Sequence, residues 1–396
     1  MNSYMVWRYT IADGPKDSRE DQMSESVRKG LEGIIVADSA ICTIDGQKGS
    51  LKYRGFDIAD LAPSASYEET AYLLWFGDLP TENQLDNLKR QLATEREIHE
   101  SVWEMITALP CWPVPMEALR TAVSSLSSCD PEANDHSQEA NINKAIRLTA
   151  KMPTVVAYHF RHSRGKERIA PHQDLGHAAN FLYMLTGVAP TALEERAIEM
   201  AMVLMAEHGF NASTFSARIT ASTLSDMYSA ITTAIGTLKG PLHGGANQRA
   251  MEMLLEIGDI DKAEAYVDAA LESKKRIMGF GHRVYKTMDP RARALRGIVC
   301  DLDSQMEDPR WCRLGLKMID LMEQRKSLYP NVDFLTAPLL YTLGIPLDLF
   351  TPIFALSRIA GWTAHVMEQY ADNRLIRPLS NYIGPAERTY VPIEQR

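Results

Sequence analysis

Along most of this chain, apolar residues recur every three or four positions, the spacing of one face of an α-helix. Between Leu224 and Lys239, the residues Met227, Ile231, Ile235 and Leu238 fall on one such face. The positions between them are mostly Ser, Ala, Thr and Gly, small enough for a second helix to pack closely. Gly240-Pro241 ends this helix, because glycine accepts a C-terminal turn and proline cannot continue the ladder. Asp261 with Glu264 has the spacing of a capping box and predicts a helix running to Lys275. Asp289-Pro290 supplies an N-cap and a first-turn proline for a helix carrying Arg291, Arg293 and Arg296. Thr351-Pro352 predicts the same start for a helix through about Tyr370 that carries Arg358 and His365.

One stretch follows another rule. From Ile41 to Phe56 the chain reads Ile-Cys-Thr-Ile, a turn at Asp-Gly-Gln-Lys-Gly, then Leu-Lys-Tyr-Arg with alternating polarity, which predicts a β-hairpin. There is no further strong strand pattern, internal repeat or low-complexity segment. Residues 1–29 are polar and lack a period, so they are expected to be weakly ordered. The expected fold class is all-α with a short N-terminal β-hairpin.

Composition narrows the picture. The chain has 396 residues, 45% of them hydrophobic and 23% charged, enough for a large core and two domains. The uncharged run Phe334–Leu347 is too short to span a bilayer and is broken by Pro338, Gly344 and Pro346. Residues 1–29 lack the apolar stretch of a signal peptide, and their acidic residues do not suit a transit peptide. Cys42, Cys111, Cys129, Cys300 and Cys312 are scattered without metal-like spacing, which is expected of reduced thiols in a cytoplasmic protein. A net charge of −9 argues against a nucleic-acid partner.

That charge conceals a local reversal. Between Lys274 and Arg296 stand eight basic residues and one acid, Asp289. Such a run is commonly a solvated helix face. This one also contains Met-Gly-Phe-Gly-His, a glycine-rich turn, and so admits a site for a ligand bearing phosphates or carboxylates.

Three segments set a titratable side chain beside flexible backbone. Gly-Pro-Leu-His-Gly-Gly-Ala-Asn at 240–247 places His243 where backbone can approach a ligand and a following helix start offers free N–H groups. Gly-Phe-Gly-His-Arg-Val-Tyr-Lys at 279–286 places His282 inside the basic run. Tyr-Pro-Asn-Val-Asp-Phe at 329–334 sets Asp333 between apolar neighbours, either as an N-cap or as a desolvated, more basic carboxylate. Neither histidine segment supplies His-x-x-x-His, His-Glu-x-x-His or adjacent cysteines, so no metal site is expected.

These segments resemble the signatures of the citrate synthase family, and they stand in that family's order. Ala-Glu-His-Gly-Phe-Asn-Ala-Ser-Thr-Phe (206–215), Phe-Thr-Pro-Ile-Phe-Ala-Leu-Ser-Arg (350–358), Asn-Arg-Leu-Ile-Arg-Pro (373–378) and the hairpin region 32–55 add to the likeness. It covers the chain from about residue 30 to the end. The resemblance implies a helical homodimer whose active sites are shared between subunits. It also implies a large domain (30–244 and 344–396), a small domain (245–343) and a site in the cleft between them. Asp333 would take a proton from acetyl-CoA, His243 would hold the thioester oxygen, and His282 would polarise the oxaloacetate ketone. His208, Arg291 and Arg358 match oxaloacetate-binding positions, and Arg377 matches one donated by the partner subunit. Lys275, Arg276, Met278, Gly279, Phe280, Gly281 and Lys286 match the CoA-binding loop. The CoA thioester is then a substrate, and no cofactor is implied.

Two departures stand out. Phe-Leu-Thr-Ala-Pro follows Asp333 where many relatives have Phe-Tyr-Ser-Gly, and Gly209 replaces a frequent glutamate after His208. The first borders the acyl pocket and leaves 2-methylcitrate synthase, which takes propionyl-CoA, as the alternative activity. A non-catalytic helical scaffold would have no need of this whole set of side chains.

Overall fold

The helical periodicity becomes sixteen α-helices among the residues described by the computed structural model, 27–109 and 114–396. The first eight are α1 Ile58–Ser64, α2 Tyr67–Phe76, α3 Glu82–Thr94, α4 Glu100–Ala108, α5 Pro115–Leu126, α6 Gln138–His162, α7 His177–Thr186 and α8 Ala192–Met205. Then come α9 Ala212–Ser222, α10 Met227–Leu238, α11 Ala246–Ile257, α12 Ala263–Glu272, α13 Pro290–Asp303, α14 Trp311–Lys326, α15 Val332–Thr342 and α16 Phe350–Ala371. Three strands, β1 Cys42–Asp45, β2 Ser50–Tyr53 and β3 Phe56–Asp57, form one antiparallel sheet in sequence order. The expected hairpin is β1–β2, with Cys42 opposite Tyr53. The two-residue β3 extends it.

Residues 39–376 form one compact unit; among the described residues, 27–38 and 377–396 form another. Among its described residues, the terminal unit has 3₁₀ turns at Lys29–Leu31 and Ile393–Gln395 and no other helix or strand. The expectation of weak order over 1–29 falls almost wholly outside the described residues. No described helix is long and apolar enough to cross a membrane.

The core of the 39–376 unit is organised on α16. Nearly every side chain from Phe350 to Val366 is buried, and the helix packs against α2, α6, α8, α9 and α10. Gly361 permits this closeness: a Cβ there would lie 2.3 Å from the Ala206 carbonyl oxygen. On α10, Met227, Ile231, Ile235 and Leu238 are buried as the periodicity requires. Its start is set by Asp226, whose side chain accepts from the Ser229 N–H. A second group of helices, α11, α13 and α14, gathers around α15.

Several expectations need correction. Asp261 and Glu264 form no capping box: Asp259 caps a 3₁₀ turn over Ile260–Lys262, and α12 ends at Glu272, short of Lys275. Thr351 is not an N-cap, because a 3₁₀ turn at Leu347–Leu349 leads directly into α16 and places Thr351 and Pro352 in its first turn. There a proline is tolerated, since its missing N–H would have had no helical partner. Cys300 and Cys312 are not free thiols. The reversal from α13 to α14 brings their Cα atoms to 5.0 Å and they form a disulfide. Cys42 and Cys129 remain free, and Cys111 lies outside the described residues.

Candidate active site

Two loops build one wall of the site by pairing with each other. The Gly281 N–H donates to the Tyr329 carbonyl (2.9 Å) and the Asn331 N–H to the Gly279 carbonyl (2.9 Å), with an antiparallel bridge at Phe280–Pro330. The Asn331 amide also donates to the Gly281 carbonyl at 3.0 Å. This clamp needs glycine at 279, where φ is +80° and a Cβ would lie 2.7 Å from that of Phe334. The Phe280 ring packs on Phe334, with centroids 4.5 Å apart. His282 and Asp333 therefore emerge from neighbouring loops, although 50 positions separate the Asn331–Gly281 bond partners in sequence.

Asp333 sits in the first turn of α15, and its position resolves the choice left open above. Asn331, not Asp333, is the N-cap, its side-chain oxygen accepting from the Asp333 N–H at 3.1 Å. The Asp333 carboxylate accepts no hydrogen bond among the described residues, and burial shifts it from 3.8 up to about 6. Arg291 opposes that rise and Asp289 adds to it.

The tautomers of both histidines follow from their partners. His282 Nδ1 receives the backbone N–H groups of Val284 (3.0 Å) and Tyr285 (3.2 Å). Backbone N–H groups only donate, so Nδ1 carries a lone pair and the proton of the neutral ring is on Nε2. His243 is held the other way round. Its Nε2 receives the Ser213 N–H at 3.3 Å and lies 2.9 Å from Ser213 Oγ, which leaves Nδ1 as the donor. Trp362 Nε1 donates to the same Ser213 hydroxyl at 3.2 Å, and that hydroxyl reaches Asn211 Oδ1 at 2.8 Å. Burial lowers both imidazoles to about 4; Arg291 assists at His282 and Arg358 at His243. Both rings are thus neutral hydrogen-bond donors near pH 7.

Cationic side chains converge beside them. Arg358, on α16, is buried; its Nε donates to the Met205 carbonyl at 2.7 Å. No other hydrogen bond to its guanidinium is formed among the described residues. Arg291 is held by Asp289 through Nε (3.0 Å) and Nη2 (2.8 Å). Burial works against the Arg291 charge, but Asp289 outweighs it and holds the guanidinium firmly protonated. Asp289 also accepts the Val332 N–H at 3.2 Å, fixing the start of α15 to that of α13. His208 lies 3.1 Å from the Tyr285 hydroxyl, and its ring meets that of His282 edge-on with centroids 5.2 Å apart. Burial holds His208 well below its ordinary value, so it too is neutral.

Of the residues singled out from sequence, His208, His243, His282, Arg291, Asp333 and Arg358 belong to this unit and carry the interactions described. Arg377 belongs to the terminal unit. In the basic run, Met278, Gly279 and Phe280 are partly or fully buried, Gly281 is partly buried, and Lys275, Arg276 and Lys286 are exposed. Lys275 is paired with Glu256 at 3.2 Å. The Lys286 N–H donates to the Gly46 carbonyl (2.9 Å), so the hairpin turn braces this loop. Sequence reasoning missed Ser213, Tyr285, Asn331 and the second role of Asp289. Each stood within or beside a quoted motif, but nothing in the spacing showed which partner it would meet. Among the described residues, no cluster of His, Cys, Asp and Glu has a metal-binding arrangement.

The family model "Citrate synthase, C-terminal domain" matches residues 30–379. The chain belongs to the citrate synthase family. It is 48% identical to citrate synthase 2 of Bacillus subtilis over 93% of this chain and 99% of that one. It is also 45% identical to 2-methylcitrate synthase 1 of Corynebacterium glutamicum, over 94% and 100%. The crystal structure of the Pyrobaculum aerophilum citrate synthase superposes with a TM-score of 0.88 at 43% identity, covering 93% of this chain and 95% of that one. The Thermoplasma acidophilum enzyme, solved as a ternary complex with carboxymethyl coenzyme A and oxaloacetate, gives 0.87 at 35% identity over 93% and 99%. Membership makes this protein a condensing transferase of the tricarboxylic acid cycle family, whose substrates are an acyl-CoA and oxaloacetate.

Proposed function

We propose that this enzyme condenses acetyl-CoA with oxaloacetate and water to give citrate and CoA. The observation that carries this reading is the opposed tautomers of His243 and His282 beside a carboxylate raised to about 6. Forming a carbanion beside a thioester needs a base and a donor acting on the same acyl group. Asp333 removes the methyl proton while His243 Nδ1–H donates to the thioester oxygen, so an enolate or enol forms without full charge build-up. His282 Nε2–H donates to the ketone oxygen of oxaloacetate and passes its proton to the new alkoxide. Hydrolysis of citryl-CoA then releases CoA. Arg291, Arg358 and His208 orient the two carboxylates of oxaloacetate, the guanidinium planes fixing which ketone face is presented. The exposed cations Lys275, Arg276 and Lys286 meet the CoA phosphates, and Met278, Gly279, Phe280 and Gly281 flank its chain.

The site draws His208, His243 and Arg358 from one part of the chain and His282, Arg291 and Asp333 from 245–343. We read 245–343 as the small domain, drawn in when oxaloacetate bridges both sets. Oxaloacetate then tightens acyl-CoA binding, and linkage makes the effect reciprocal. Arg377 of a partner subunit completes the carboxylate contacts in a homodimer, which we place in the cytoplasm.

Relatives named for citrate and for 2-methylcitrate synthesis match at similar identity, so the deciding measurement is kcat/KM for acetyl-CoA against propionyl-CoA. One methylene in an apolar pocket gives about 10- to 200-fold discrimination. A ratio of at least tenfold for acetyl-CoA is expected, and a preference for propionyl-CoA would reassign the enzyme to 2-methylcitrate synthesis.

A further inference from the structure

A line of buried polar side chains runs behind the site and has no part in the chemistry proposed above. His365 is fully buried on α16, two turns beyond Arg358. Its Nδ1 lies 3.2 Å from Arg218 Nη1, and a guanidinium only donates, so Nδ1 carries a lone pair. The ring proton is therefore on Nε2, which donates to Glu207 Oε1 at 2.9 Å. Arg218 is itself buried, and it is fixed by Glu368 (2.7 Å) and by the side-chain oxygen of Gln369 (3.1 Å). One end of the line is thus anchored between α9 and α16. The other end reaches the turn that carries His208.

Glu207 makes that connection. Its Oε1 also accepts the Gly209 N–H, so one carboxylate ties together the residues on either side of His208. Gly209 takes a φ of +58°, which turns the backbone sharply at this point. The next side chain, Phe210, meets the His365 ring edge-on, with centroids 5.4 Å apart, and lies 4.5 Å from the Arg218 guanidinium. Stability alone gives no reason for such a cluster, because apolar side chains of similar volume often serve a core as well. Glu207 Oε2 is moreover buried without a hydrogen-bond partner among the described residues, a cost that packing does not explain.

We propose that His365 is a positioning residue for oxaloacetate binding, acting through Glu207 on the turn that presents His208. It touches no substrate. By fixing the Glu207 carboxylate it fixes the Gly209 N–H, and with it the direction in which the His208 ring projects. Such fixing matters because a displacement of about 1 Å is enough to spoil an oriented contact. The inference rests on the reading of His208 as an oxaloacetate ligand.

Two substitutions at 365 separate this role from packing. In His365→Asn the amide oxygen takes the place of Nδ1 and still faces Arg218, but the side chain ends short of Glu207. In His365→Gln the amide nitrogen takes the place of Nε2 and keeps the donor to Glu207, while Arg218 loses its acceptor. Steady-state kinetics of the full-length enzyme should show the oxaloacetate KM raised about tenfold or more in His365→Asn and within about threefold in His365→Gln. The acyl-CoA KM at saturating oxaloacetate should stay within about twofold in both. Equal effects, or the reverse order, would assign His365 to packing around Arg218 and overturn the proposal. Glu207→Gln gives a second test, and decides the matter if His365→Asn does not fold. Burial lowers the basicity of Arg358, and Glu207 is the strongest of the charges opposing that change. Removing the Glu207 charge would by itself draw the oxaloacetate dianion in more tightly. Weakening its hydrogen bonds to His365 and Gly209 should instead raise the oxaloacetate KM about threefold or more. An unchanged or lower KM overturns the proposal. His208→Ala is the control: if it leaves the oxaloacetate KM unchanged, the assignment of His208 fails and the proposal with it. If His208→Ala raises that KM and His365→Asn does not, the proposal alone fails.

Discussion

His243 and His282 are both neutral hydrogen-bond donors, but they are held from different foundations. His243 is held from the helical body, by the backbone and hydroxyl of Ser213 at the start of α9, with Trp362 of α16 behind them. His282 is held by its own loop, through two backbone N–H groups, and that loop is placed by pairing with 329–331 and by the Lys286 N–H bond to the Gly46 carbonyl. The first arrangement inherits the rigidity of packed helices. The second depends on a few loop–loop hydrogen bonds and on glycines that allow them. In the proposed mechanism the site opens to bind and closes to react, which one fixed wall and one held locally would serve.

The largest effect in breaking this comparison is expected at Asp333, the base in the proposed mechanism. Asp333→Asn should lower turnover by about 10³-fold or more while keeping oxaloacetate binding. Near-normal rates would mean that another residue is the base. The same substitution tests the raised pKa. The folded protein holds the Asp333 proton up to about pH 6, whereas the unfolded chain releases it near 3.8. Ionised Asp333 therefore costs stability, and that cost grows as pH rises from about 4 through about 6. Asp333→Asn should accordingly raise the melting temperature at pH 7 and leave it unchanged at pH 4. In the wild type, kcat/KM should climb from pH 5 to 7 with a midpoint near 6, with no limb from histidines that stay neutral above about 4.

A smaller effect compares the two walls directly. Asn331→Ala removes the cap of α15 and the bond to the Gly281 carbonyl, freeing Asp333 and His282 at once, and should reduce kcat by about 10²-fold. Ser213→Ala leaves the backbone N–H on His243 Nε2 and should reduce kcat by only about tenfold. If steady-state kinetics rank them in the opposite order, the locally held wall is not the more fragile one.

The smallest effect on activity is expected from the disulfide. Cys300→Ser opens the α13–α14 link, whose sequence separation is 12. It should lower stability by about 2–3 kcal/mol in denaturant titrations with kcat nearly unchanged. A large loss of kcat would show that α13 needs the link to hold Arg291 in place.

Legibility in the sequence varied with the range of the interaction. The α10 face, the Asp289-Pro290 start and the β1–β2 hairpin were readable because each is set by neighbours a few positions apart. The Asp261 capping box and the Thr351 cap failed for a related reason. A local signal was present, but an adjacent 3₁₀ turn took over the helix start.

The amino-acid order alone determined the helical class, the ends of several helices, and the segments rich in glycine, histidine and arginine that carry the family resemblance. Those features depend on local backbone preference and on side-chain type. Tertiary structure decided that Asn331 rather than Asp333 caps α15, that Ser213 orients His243, that Asp289 joins Arg291 to α15, and that Cys300 meets Cys312. It also decided protonation. A carboxylate and an imidazole have ordinary pKa values until packing removes their water, and the burial that raises Asp333 and lowers both histidines exists only once distant segments have closed around them.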